Sequence, residues 1–180
     1  MMANDDPRGT AAASAMPGVL SAAAIGAEPA PMSIPDLPGH LLRRCHQIVV
    51  ALFLDECGAH DLTPLQFAVL GVLRQFGPLD QVTLGGLAAL DRTTVAVVLR
   101  NLEERGLVVR AQSRRDRRAK IVTITERGAD VVIGAEPAAI KAQERALAPL
   151  DPDEAAEFVR LLRKLAEGNN DFSRAPQKRR

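Results

Sequence analysis

Ten cationic side chains stand between Arg92 and Arg127: Arg92, Arg100, Arg105, Arg110, Arg114, Arg115, Arg117, Arg118, Lys120 and Arg127. The acids of the same stretch are Glu103, Glu104, Asp116 and Glu126, which leaves it at +6; the whole chain carries +1, so the rest carries −5. A segment this basic in an otherwise acidic chain is suited to a polyanion. Val95, Val98, Leu99 and Leu102 recur at helical intervals from Arg92 to Arg105, which turns Arg92, Thr93, Thr94, Ala96, Val97 and Arg100 away from them. Such an outward face can read a major groove: arginine forks onto guanine, threonine bonds a base edge or touches a thymine methyl, and alanine or valine offers apolar contact. Arg114, Arg115, Arg117 and Lys120 are suited to phosphates, which supply affinity without sequence preference. Asp116, two residues before Arg118, can aim that guanidinium at a narrow minor groove. The bland alternatives are a solvated amphipathic helix and a loop whose charges keep no order. The coincidence of helix and loop in one segment favours docking on duplex DNA.

These residues need elements to hold them. Gly106 stops the helix that Asp91 caps, and the apolar period then changes to two in Leu107–Arg110 and again in Ala119–Ile124. An arginine-tipped hairpin directly after closely spaced helices is a wing on a helix-turn-helix. Upstream, Thr63-Pro64 opens a helix that Gly77-Pro78 closes, and Thr83 caps a short one through Leu90. A long helix from Asp36 to Glu56 precedes them. Its stripe is Leu41, Cys45, Ile48, Val49 and Leu52, but Leu42, Val50, Phe53 and Leu54 make the opposite side apolar too, so it needs a second neighbour such as another subunit. Thr125-Glu126 opens a helix interrupted at Pro137, and Asp151 caps a last one to about Glu167.

The 180 residues suffice for one domain with a real core, 47% of them hydrophobic and 25% charged. Five Phe and no Trp or Tyr leave few stacking platforms, which disfavours single-strand and carbohydrate readers. No stretch approaches the ~20 apolar residues of a membrane span. Asp5 and Asp6 precede the Ala-rich opening without a basic region, so no secretory leader is expected and the chain reads as cytoplasmic. Cys45 and Cys57 lack zinc or redox spacing and are expected as buried free thiols. His40, His46 and His60 form no ligand cluster, no nucleophile or nucleotide motif is present, and neither metal, cofactor nor catalysis is expected.

The runs Leu87–Val95, Leu102–Val108 and Asp116–Gly128 resemble the multiple-antibiotic-resistance regulator (MarR) family of bacterial transcription factors, over about residues 36 to 167. The resemblance implies a mainly α (α+β) winged-helix homodimer that binds double-stranded DNA at pseudo-palindromic operators, usually as a repressor released by a small ligand or an oxidant. By the family pattern, helix 92–105 is the recognition helix and Asp116 with Arg118 the wing pair, while Val97 occupies a place often polar in relatives. The expected organisation is a disordered tail (1–35), dimerisation helices (36–60 and 126–167), the winged helix (61–125) and a flexible basic tail (168–180).

Leu41–Gln47 resembles the version found in regulators of aromatic catabolism. Arg43 and His46, neighbours at i and i+3, could pair with a carboxylate while Val50 and Phe53 hold a ring and His40 rims the pocket. The effector so implied is an aromatic acid or its coenzyme A thioester. An interface salt bridge and a buried histidine are the structural alternatives. Cys45 stands where peroxide-responsive relatives carry a sensing cysteine, but burial on an apolar stripe would make it inert. A winged helix that binds other proteins is the remaining reading, and a DNA reader would differ from it in steep salt dependence.

Overall fold

The computed structural model describes residues 33–112 and 120–177. The chain falls into two units, residues 1–45 and 46–180. In the first, Ile34–Asp36 forms a 3-10 turn, and a helix, α1 (Pro38–Cys57), begins. The expected tail lies, up to residue 32, outside the described residues.

The second unit holds the end of α1, then α2 (Pro64–Phe76), β1 (Leu79–Asp80), α3 (Gln81–Leu87), α4 (Arg92–Glu104), β2 (Val108–Gln112), β3 (Lys120–Ile124), α5 (Glu126–Leu147) and α6 (Pro152–Gly168). This is the mainly helical winged helix-turn-helix expected. Its sheet has the order β1-β3-β2, antiparallel throughout. Thr63 and Gln66 start α2 with a reciprocal capping box, each side chain bonding the other's backbone N–H.

Aliphatic side chains build the main core: Val69, Leu70 and Leu73 of α2, Leu84 of α3, Val95, Leu99 and Leu102 of α4, Val108 and Val122 of the hairpin, and Val132 of α5. A smaller cluster joins Phe53 and Cys57 to Ala139 and Ala142 of α5, with the Phe53 and Phe67 rings tilted together at 5.5 Å between centroids. Lys141 and Arg145 of α5 pair with Glu56 beside this cluster.

Several expectations are corrected. Phe53 and Cys57, one turn apart, form the inward face of α1, while Leu41, Cys45 and Ile48 are exposed. An all-round apolar helix gives its period no unique direction, and packing on the alanines of α5 chose the side. Pro137 does not interrupt α5; it sits exposed inside a continuous helix, where water can satisfy the carbonyl one turn earlier. The cap of α3 is Asp80 and not Thr83, and α3 ends at Leu87. Residues 169–177 are folded, with a 3-10 turn at Asn170–Phe172.

Candidate nucleic-acid interface

Asp80 belongs to two elements. It pairs across from Ile121 of β3, and its carboxylate accepts from the backbone N–H groups of Val82 (3.0 Å) and Thr83 (2.9 Å) and from the Thr83 hydroxyl (2.6 Å). The sheet is thereby fastened to the start of α3. Asp91 repeats the device on α4, accepting from the N–H groups of Thr93 (3.0 Å) and Thr94 (2.9 Å) and from the Thr94 hydroxyl (3.1 Å). These bonds, the Thr94 N–H first, hold its carboxyl below the usual range.

The turn between the helices is tight. Ala89 takes a left-handed conformation (φ 54°), and the Leu90 N–H donates to the Gly85 carbonyl at 2.8 Å. A Cβ on Gly85 would stand 3.0 Å from the Leu90 carbonyl oxygen, closer than side chains normally come. The chain bends by 104° between α3 and α4, the geometry of a helix-turn-helix.

Val95, Val98, Leu99 and Leu102 face inward on α4 as their spacing predicts. Arg92, Thr93, Val97 and Arg100 are exposed, whereas Thr94 is half-buried with its hydroxyl on Asp91. Lys120, at the start of β3, is exposed. Arg114, Arg115, Asp116, Arg117 and Arg118, with the pairing read for Asp116 and Arg118, lie outside the described residues.

Two cations of the basic segment serve the framework. Arg105 pairs with Asp61 at 3.0 Å and donates to Gln66 Oε1 at 3.3 Å. Arg110 of β2 donates through Nε to Glu103 of α4 at 2.8 Å and holds that carboxyl below the usual range. The second pair ties the base of the hairpin to α4. Neither partnership shows in the sequence, because each joins residues from different elements. The Asp80 cap was readable: Asp80-Gln-Val-Thr83 repeats the spacing of Asp91-Arg-Thr-Thr94.

The profile of the MarR family matches residues 62–120. The transcriptional repressor NicR of Pseudomonas putida is 32% identical over 141 residues, 78% of this chain and 89% of that protein. The chain belongs to the MarR family. Among solved structures, Bordetella bronchiseptica BpsR, described for regulation of its DNA binding by 6-hydroxynicotinic acid, is 34% identical with a TM-score of 0.73, covering 77% of this chain and 99% of that one. PcaV of Streptomyces coelicolor, solved with its natural ligand, is also 34% identical, with a TM-score of 0.70 and coverage of 76% and 96%.

This MarR-family member is therefore a transcriptional repressor with a winged-helix DNA-binding unit, not an enzyme. In such a unit the N-terminal residues of the recognition helix enter the major groove. Among the described residues no single helix is long and apolar enough to cross a membrane.

The residues read as an effector site are placed as follows. Arg43 is exposed and lies 3.3 Å from Nδ1 of the half-buried His40. His46 is exposed, Val50 is half-buried, and Phe53 is in the core against Phe67. None of the five lines the cavity of about 300 Å³ bordered by Leu54, Thr63, Gln66, Asn101 and Arg105.

Proposed function

We propose that this repressor works as a homodimer on a pseudo-palindromic operator and leaves it when a small aromatic carboxylate binds. The observation that carries the dimer is the apolar surface of α1 and α6. Leu41, Leu42, Ile48 and Leu54 of α1 are each about half exposed, and α6 buries no residue although Leu161 and Leu165, one turn apart on one face, are about half exposed too. Exposed apolar faces this regular mark a protein contact. A dimer also sets two recognition helices about 34 Å apart, one turn of DNA, which is why inverted half-sites are expected. Leu161→Asp with Leu165→Asp should give a folded monomer in sedimentation velocity and cost operator binding by ~100-fold or more, since each lobe then binds alone. A double variant that stays dimeric would overturn this assignment.

Release is assigned to Arg43. Its guanidinium, beside His40, offers the charge-assisted bonds a carboxylate prefers. BpsR's regulation by 6-hydroxynicotinic acid supports an aromatic acid as the effector class, with a coenzyme A thioester as the larger form. Arg43→Ala should bind the operator within about twofold of wild type yet resist release by 6-hydroxynicotinic acid, because an effector acts only through its preference for the DNA-incompetent state. Unchanged release by that variant would refute the assignment. A second reading is an oxidant as trigger, acting on Cys45, which is exposed in the protomer and shares the stripe of Leu41 and Ile48, so that its oxidation would disturb the dimer contact. In the same assay, peroxide would then release wild type and spare Cys45→Ser.

A further inference from the structure

Residues 169–177 follow α6, and nothing in the proposed cycle uses them. The Asn169 N–H and side-chain amide both donate to the Leu165 carbonyl, at 3.2 and 2.9 Å, and end the helix. Asn170 then closes a loop by gripping Gln177 twice: its Oδ1 accepts from the Gln177 N–H at 2.8 Å, and its Nδ2 donates to the Gln177 carbonyl at 3.0 Å. Inside the loop the Ala175 N–H donates to Ser173 Oγ at 3.1 Å.

The loop rests on the helix-turn-helix. A Cβ added to Gly86 would stand 3.4 Å from the Pro176 carbonyl oxygen, so the loop lies beside the last turn of α3. Arg174 is exposed, and its charge reaches Asp91, the cap of the recognition helix. That position has an electrostatic consequence. The N-terminal turn of α4 is where the chain meets DNA, yet the Asp91 carboxylate opposes any phosphate that approaches it. A guanidinium within electrostatic reach offsets part of this repulsion and adds a forked donor of its own.

We propose that the loop is part of the DNA-binding surface: it carries Arg174 to the N-terminal end of the recognition helix, where the guanidinium takes a backbone phosphate of the duplex. This rests on the reading of α4 as the DNA-contacting helix.

The test is binding of the full chain, across a salt series, to the duplex that wild type selects from a randomised library. Arg174→Ala should weaken binding several-fold at low salt and make the slope of log affinity against log salt shallower by about 0.9 for each phosphate it leaves unneutralised. Its preference for that duplex over a scrambled one should not change, since phosphates carry no sequence. Arg174→Lys should restore the slope. Asn170→Ala, which opens the loop without removing charge, should weaken binding in the same direction at an unchanged melting temperature. An unaltered slope in Arg174→Ala, or weaker binding explained by a lowered melting temperature alone, overturns the proposal. Tighter binding by that variant also overturns it, because the loop would then shield the helix. Failure of wild type itself to lose affinity with salt would instead strike at the DNA reading of α4.

Discussion

Gly128→Ala is expected to destabilise the winged helix by about 3 kcal/mol, the upper range for forcing an extra carbon into a packed site. A Cβ at Gly128 would stand 2.1 Å from the Leu107 carbonyl oxygen and 2.9 Å from Ile124 Cγ1. The carbonyl cannot give way cheaply, because it already accepts from the Thr125 N–H at 3.0 Å. Thr125 is held in turn: its hydroxyl donates to the Gly106 carbonyl at 2.8 Å and accepts from the Gly128 N–H at 3.0 Å. Gly106 itself has φ +68°, a conformation that disfavours other residues. The end of α4, the wing and the start of α5 therefore converge on one glycine. Urea unfolding should show the loss, with a melting temperature lowered by about 6–12 °C for a chain of this size. Gly71→Ala in α2, where nothing lies within 4 Å of the new Cβ, should be neutral or slightly stabilising. Equal stability of the two variants would contradict the packing at this junction.

Replacing Arg114, Arg115, Arg117 and Arg118 together with alanine should cost ~10²–10³-fold in operator affinity and flatten the salt slope by up to about 0.9 for each arginine that meets a phosphate. The fold should survive, because the hairpin's register from Val108↔Ile124 to Gln112↔Lys120 does not include these residues. The Arg110 to Glu103 tie also remains to fix the wing base. A fluorescence anisotropy titration reads the affinity and circular dichroism checks the fold. Near-wild-type affinity in the quadruple variant would remove the wing from the interface.

The recognition helix was legible because its sequence is amphipathic in one register only. Val95, Val98, Leu99 and Leu102 left no second choice of inward face, and Asp91 marked its start. The first helix was not legible in the same way. Apolar on every side, it concealed that Phe53 and Cys57 point inward, and the burial expected for Cys45 went to the wrong stripe. A two-residue strand such as Leu79–Asp80 is too short to show alternation, and it exists because β3 offers it a partner some 40 residues later. Charge counting treats the basic segment as one field and does not separate its cations residue by residue. Arg105 and Arg110 find Asp61 and Glu103 only once the elements have packed, so the sequence does not show that those two cations are held within the framework. The folded loop at 169–177 escaped the sequence for a related reason: its closure depends on the two amide bonds between Asn170 and Gln177, not on an apolar period.

The dissociation constant of the full-length protein for its selected duplex and for a scrambled one, followed from low to physiological salt, tests most directly whether α4 and the wing form a sequence-reading DNA surface. Affinity should fall steeply and linearly on logarithmic axes, with the selected duplex preferred by about 10³-fold or more at physiological salt. A shallow slope with no preference between the two duplexes would mean that the basic face serves some other partner.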